Sequence, residues 1–122
     1  MALPAKAYAD VQVVQPQGRI DHNSSNDFQM WLVDAVESAG DYVAVVLDLS
    51  GVEYMSSAGL RVLMVASRAA KQKEIGFVIA DLTPTLNEIF EISRFNVVFK
   101  VFDTVREAIA AHSNDAVAAF DG

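Results

Sequence analysis

Residues 45–63 read VVLDLSGVEYMSSAGLRVL, and the fold class is predicted most directly from these residues. It begins inside a valine-rich segment, residues 43–49, that lies between Gly40 and Gly51. The segment is too short for a core helix, so it predicts a central strand buried on both faces, as in a parallel sheet. From about Ser57 to Lys73 apolar residues recur at helical spacing. The stretch therefore predicts a strand, a short loop and a crossover helix.

The segments on either side alternate in the same way. Strand formers occupy residues 8–15, 19–20, 75–80 and 97–102, and helical patterns begin at Ser24, Thr83 and Asp103. Such alternation predicts an α/β fold, a layered domain with a mixed, mostly parallel central sheet of four to five strands and about four helices. We expect the first two strands, which no helix separates, to form a hairpin.

Domain organisation follows from the same pattern. The 122 residues suit a single domain over 1–122, since no repeat or linker divides the chain. We expect its core over about 8–112 and a flexible tail over 113–122. We also expect Ser24 or Ser25 to cap the first helix, and Asp103 to cap the last.

Composition excludes several classes of function. The chain has no cysteine, which removes disulfides, thiolate metal sites and cysteine nucleophiles from consideration. Its formal charge of −7 argues against binding nucleic acid or an anionic membrane surface. No secretory signal pattern or membrane-length apolar run is present, so we expect a cytoplasmic protein without membrane insertion.

Two adjacent serines, Ser56 and Ser57, lie at the predicted start of the helix that follows the central strand. A serine at such a position commonly caps the free amides of the first helical turn, and by local physics alone this interpretation is favoured. The same amides and the helix dipole also favour a phosphate group. Gly59, inside the first turn, indicates either tight packing or the close approach of a partner.

Residues 45–63 resemble the signature of STAS domains, specifically of bacterial anti-sigma-factor antagonists. In that signature an apolar strand, Asp/Asn-Leu and a short loop precede an aromatic-Met/Ile-Asp-Ser-Ser/Thr/Ala-Gly-Leu segment that opens a helix. The segment GRID, residues 18–21, resembles the family's Gly-x-Leu/Ile-Asp element. A weaker match covers residues 79–109, and together the resemblances extend to about residue 112. The chain departs from the pattern at Ser56, where the family often has aspartate.

The resemblance implies a regulatory binding module and not an enzyme. Proteins of this type bind an anti-sigma factor that is also a serine kinase, are released when it phosphorylates them, and are restored by a PP2C-type phosphatase. The matching phosphoacceptor is Ser57, with Ser56 a less favoured alternative. The implied partner-binding residues are Asp21, Ser56, Ala58, Gly59 and Arg61, with Met64 either an edge contact or part of the core. No catalytic residue, metal or cofactor is implied.

Other interpretations remain open. The chain could be a STAS subunit of another signalling complex, or of a lipid or anion transport system, because fold alone does not decide function. Asp21 could simply cap the following helix. A serine hydrolase would require a base for Ser57, and only His22 could lie near enough; this alternative is the weaker one. Asp48 and Ser50 are expected at the same sheet edge as Ser57, where they would bind backbone groups of a turn.

Overall fold

The computed structural model describes residues 4–122, which form seven strands and six helices. In chain order these are β1 (Ala5–Tyr8), β2 (Val11–Val14), β3 (Gly18–Ile20), α1 (Ser25–Glu37), β4 (Ala44–Asp48), β5 (Val52–Met55), α2 (Ser57–Gln72), β6 (Gly76–Ala80), α3 (Pro84–Ser93), α4 (Phe95–Val98), β7 (Val101–Phe102), α5 (Val105–Ala110) and α6 (Asn114–Asp121).

A five-stranded sheet forms the centre of the molecule, in the order β1-β2-β4-β6-β7. Only β1 and β2 are antiparallel; the other neighbours are parallel. Strand β4 lies in the middle, and every one of its residues is buried. The predicted α/β class, with a mixed and mostly parallel sheet, is confirmed.

Side chains alternate across this sheet and divide the core into two layers. On one face Val45, Leu47 and Ile79 pack against α1, α2 and α3. On the other face Val46 and Val78 pack with residues of α5 and α6. The three long helices therefore cover one side of the sheet, and the C-terminal pair covers the other.

A second, two-stranded parallel sheet joins β3 to β5. Strand β5 was missing from the sequence prediction, which placed its residues in a loop. The N-terminal hairpin was also wrongly placed. The antiparallel pair is β1 and β2, which together replace the single predicted strand over residues 8–15, while β3 leaves the main sheet to pair with β5.

The C-terminal tail was predicted to be flexible, and this was wrong. Residues 114–121 form α6, which Ser113 caps by accepting a hydrogen bond from the amide of Ala116. Ala116 is fully buried, and the ring of Phe120 packs edge-on against Tyr8 with centroids 5.0 Å apart. Burial of these apolar side chains against β1 stabilises the helix.

Two further predictions fail near the C-terminus. The segment predicted as a strand over residues 97–102 is a strand only at Val101–Phe102, because residues 95–98 form the short helix α4. The cap of α5 is Thr104, whose hydroxyl accepts from the Glu107 amide, and not Asp103. The predicted start of α3 is correct, since the Thr83 hydroxyl accepts from the amide of Leu86.

Candidate partner-binding and phosphorylation site

Pairing of β3 with β5 brings the two most informative sequence motifs together. The strands run parallel with Ile20 opposite Met55, so both end at the same edge. The Ser56 amide continues the ladder by donating to the Ile20 carbonyl at 2.8 Å. Helices α1 and α2 begin just beyond this edge and pack against each other. The loop containing Asp21 and the serine pair are therefore neighbours in space.

The two serines at the start of α2 have different roles. Ser56 is the N-cap residue, and its side chain accepts a hydrogen bond from the Gly59 amide at 3.3 Å. Ser57 is the first helical residue; it is exposed, and its hydroxyl makes no hydrogen bond to any other part of residues 4–122. The cap at Ser56 leaves the Ser57 hydroxyl without a structural partner, and the residue is exposed to solvent.

Gly59 is buried where α2 crosses the ends of β3 and β5. A Cβ atom at this position would lie 2.6 Å from Cγ of Met55 and 2.9 Å from Cγ2 of Ile20. Of the two explanations for this glycine, the observed contacts favour tight packing over the approach of a partner. Its buried position removes Gly59 from the exposed surface on which a partner could dock.

Asp21 stabilises the turn that leads into α1. Its Oδ1 atom accepts hydrogen bonds from the amides of Asn23 and Ser24, at 3.0 and 3.2 Å. The backbone hydrogen bond from Ser24 is the main cause of a lowered pKa of the Asp21 carboxyl. Neither predicted serine caps α1 through its side chain: Ser24 sits at the N-cap without a capping bond, and Ser25 donates to the carbonyl of His22. Asp21 is half-buried, so part of this carboxylate remains available to a partner.

An open cleft of about 640 Å³ lies between the beginnings of α1 and α2. It is lined by His22, Ser25, Asn26 and Gln29 from the α1 side, and by Ser57, Ala58, Arg61, Val62 and Val65 of α2. No carboxylate is among these lining residues. On a chain with a net charge of −7, the cleft beside Ser57 thus has a locally neutral to basic wall.

Of the other predicted contact residues, Ala58 and Arg61 line this cleft, whereas Met64 does not. Arg61 is exposed, and it forms no ion pair within residues 4–122. Ala58 is half-buried in the cleft wall, and Met64 is half-buried and packed against the core. The sequence interpretation missed Asn26 and Gln29, although their place on the polar side of α1, one turn apart, was a signal that could have found them.

The hydrolase interpretation gains little from this geometry. His22 lines the same cleft as Ser57, but no hydrogen bond joins the two side chains among the contacts of residues 4–122. A serine nucleophile needs a base within hydrogen-bonding reach and a third group that orients the base. Neither requirement is met in this conformation.

Asp48 is not part of this cleft, contrary to the expectation that it shares an edge with Ser57. It is 5% exposed and lines a separate cavity that also contains Tyr8 and Phe120. Its carboxylate accepts from the amide of Ser50 and from the side chain of Gln15, both at 3.0 Å. These bonds agree with the structural role considered for Asp48, and this part of the sheet edge belongs to the α5–α6 side.

Within residues 4–122, no group of three or more metal-ligating side chains is arranged to hold an ion. In the same range, every helix is too short or too polar to cross a bilayer.

The sequence of this chain is similar to a known domain family and to proteins within it. The family model of the STAS domain matches residues 2–108. The chain belongs to the STAS domain family. It is 39% identical over 89 residues to BtrV of Bordetella bronchiseptica, whose own assignment as an anti-sigma factor antagonist is provisional; the match covers 73% of this chain and 76% of BtrV.

Solved structures of anti-sigma factor antagonists share the fold of this chain. An anti-sigma factor antagonist from Mycobacterium paratuberculosis is 25% identical, with a TM-score of 0.79, over 91% of this chain and 92% of that one. The Bacillus antagonist SpoIIAA, 17% identical, matches in its unphosphorylated form with a TM-score of 0.71 over 88% and 93% of the two chains. Its phosphorylated form matches with a TM-score of 0.65 over 90% and 98%. Helix α6 lies beyond residues 2–108, the region that the STAS family model matches.

Proposed function

We propose that this STAS domain is an anti-sigma-factor antagonist whose binding is switched by phosphorylation of Ser57. In its unphosphorylated form it binds an anti-sigma factor that is also a serine kinase, in the cytoplasm, and thereby frees a sigma factor. The observation that carries the proposal is the exposed Ser57 hydroxyl, left without a structural bond by the cap at Ser56. The similarity to anti-sigma-factor antagonists supports the same assignment.

The proposed modification is a phosphoryl transfer. Oγ of Ser57 forms a bond to the γ-phosphorus of ATP while the bond from that phosphorus to the β–γ bridging oxygen breaks, so ADP leaves. The hydroxyl proton passes to a base of the kinase. Hydrolysis of the phosphoester by a PP2C-type phosphatase regenerates the free serine and inorganic phosphate.

The switch acts through charge at the docking surface. The proposed surface comprises Ala58 and Arg61, which line the cleft together with Ser57, and Asp21 and Ser56, which adjoin the lining residues His22 and Ser57 in the chain. A phosphoserine adds about −1.5 to −2 charges and three acceptor oxygens. Because Ser57 is exposed and makes no internal hydrogen bond, the domain can accept this group without unfolding, whereas a partner docked over it cannot.

The test begins with capture of the partner. Unmodified protein and protein with genetically encoded phosphoserine at position 57 are immobilised and exposed to lysate from the native cell, and the bound proteins are identified by mass spectrometry. We expect the unmodified form alone to retain a protein with a serine-kinase domain of the anti-sigma-factor type. Equal retention of the same kinase by both forms would contradict the switch. Recovery of transport components would favour the alternative STAS role.

The acceptor is then assigned with matched serine variants. Purified captured kinase and ATP should label the wild type and Ser56→Ala but not Ser57→Ala, since only Ser57 presents a free hydroxyl. Label that persists in Ser57→Ala would exclude Ser57 as the acceptor. Ser56→Ala is the control because it removes the neighbouring hydroxyl and leaves Ser57 in place.

A further inference from the structure

Among residues 4–122, Arg61 is the only side chain with a permanent positive charge in the lining of the cleft that Ser57 enters. The two residues are four positions apart on α2, so they occupy the same face one turn from each other. Arg61 is exposed and forms no ion pair within the described part of the chain, so its guanidinium is free to turn toward the cleft.

The residues that line the rest of the cleft include no carboxylate; the Asp21 carboxylate adjoins His22 outside the lining and is engaged by the amides of Asn23 and Ser24. The lining groups from the α1 side are the amides of Asn26 and Gln29, the hydroxyl of Ser25 and the imidazole of His22. His22 and Arg61 are therefore the two titratable groups that line the cleft, one from the loop before α1 and one from α2. Both can donate hydrogen bonds to phosphate oxygens.

We propose that the phosphate on Ser57 is bound within the protein itself, by the guanidinium of Arg61, with His22 as a further donor from the α1 side. This inference rests on the proposed function to the extent that Ser57 carries the phosphate. It adds a second effect of phosphorylation, because Arg61 also belongs to the proposed docking surface. An arginine engaged with the phosphate is withdrawn from the partner at the same time as the negative charge appears.

The shape and charge of the Arg61 guanidinium are suited to binding a phosphate on Ser57. Arginine presents several N–H donors in a plane that matches the oxygens of a phosphate, and it remains charged at every physiological pH. Pairing within one helix across four residues needs no backbone movement. The bound phosphate would therefore leave the fold of the STAS domain unchanged.

The second ionisation of the phosphate gives a direct readout. The ordinary value of this pKa is about 6, and a nearby cation favours the dianion and lowers it. Protein with phosphoserine encoded at position 57 is titrated by ³¹P NMR, which requires no kinase and no partner. We expect the phosphate pKa to be about half a unit lower in the wild type than in Arg61→Gln, a modest shift because the site is open to solvent.

Two further variants make the result specific. Arg68→Gln removes the same charge from an exposed position of α2 outside the cleft, and it should titrate like the wild type. Arg61→Lys should retain part of the lowering, because an ammonium keeps the charge but loses the planar fork. His22→Gln should raise the phosphate pKa by a smaller amount than Arg61→Gln, since a single imidazole N–H offers fewer donors to the phosphate than the planar guanidinium fork.

The outcomes separate the two proposals. Equal phosphate pKa values in the wild type and Arg61→Gln would overturn the intramolecular pairing, and so would equal increases in Arg61→Gln and Arg68→Gln, which would indicate a general charge effect. Either result leaves Ser57 free to act as a phosphorylation switch. Conversely, a kinase that fails to label Ser57 would overturn the proposed function without changing the titration.

Discussion

A single missing methyl group at Gly59 allows α2 to lie against the ends of β3 and β5. The nearest atoms to a methyl group at this position would be Cγ of Met55, Cγ2 of Ile20 and the Ile20 carbonyl oxygen, the last at 3.2 Å. The carbonyl belongs to the backbone ladder that also holds the Ser56 amide, so it cannot move freely. The position of the serine pair thus depends on the absence of a side chain two residues away.

Gly59→Ala should therefore destabilise the protein, by roughly 1–3 kcal/mol as for overpacked cores. The sign is informative, because alanine is the better helix former and would stabilise the helix by up to about 1 kcal/mol at an uncrowded position. Urea unfolding measures the change in the free energy of unfolding. In a Met55→Ala background the nearest clash is removed, so the cost of Gly59→Ala should shrink. An increase in stability on Gly59→Ala alone would show that the contact is not restrictive.

The different roles of Ser56 and Ser57 could not be predicted from the sequence. The choice between Ser56 and Ser57 as the cap depends on where β5 ends, and β5 ends where its pairing with Ile20 ends. That pairing joins segments far apart in the chain and leaves no local signal. The candidate motif was therefore visible in the sequence, but the division of roles within it was not.

Among the elements, those with strong local signals were predicted and those that depend on distant contacts were missed. The buried β4 and the helices around it follow from apolar patterning, and Thr83–Pro84 marks the start of α3. The turn between β1 and β2 was missed because Ala9 adopts a left-handed conformation, with a φ of 52°, that favours glycine. Helix α6 was missed because it packs against β1, and the sequence prediction had a single strand over residues 8–15 in place of β1 and β2.

Helix α6 should contribute measurably to stability. Phe120→Ala removes the edge-on contact with Tyr8, and we expect a loss of about 1–2 kcal/mol, less than for a fully buried aromatic because Phe120 is half-buried. The matched control is Ala119→Ser, an exposed position on the same helix, which should change stability little. Urea unfolding followed by circular dichroism provides the measurement. Identical midpoints for Phe120→Ala and the wild type would show that the packing of α6 on β1 adds nothing to the stability of the fold.

Two carboxylates, those of Asp21 and Asp121, make the free energy of unfolding of the whole molecule depend on pH. The pKa of Asp21 is lowered, chiefly by the backbone hydrogen bond from Ser24, and the pKa of Asp121 is lowered, chiefly by its side-chain hydrogen bond to Arg106. A carboxylate whose folded pKa lies below its ordinary value of 3.8 stabilises the fold above that pH. This stability is lost as the pH falls through the lower, folded value, because the unfolded chain binds the proton first.

Asp21→Asn should therefore flatten the dependence of the free energy of unfolding on pH between about pH 5 and pH 2. Asparagine keeps an oxygen that can accept from the Asn23 and Ser24 amides but cannot ionise, so the turn before α1 should persist. Urea midpoints measured across this range give the slope. Asp41→Asn, at an exposed carboxylate, is the control for the change in net charge. If the slope for Asp21→Asn is as steep as that of the wild type, ionisation of Asp21 does not contribute to the pH dependence of stability.

The two-faced sheet has a practical consequence for experiments on this molecule. Strand β1 and helix α6 lie against each other, while α1 and α2 with the serine pair occupy the opposite face. A fluorescent protein or surface tether fused after α6 would thus be attached on the face of the sheet opposite α1 and α2. Sensors or immobilised forms can therefore be attached after α6 without covering the cleft beside Ser57.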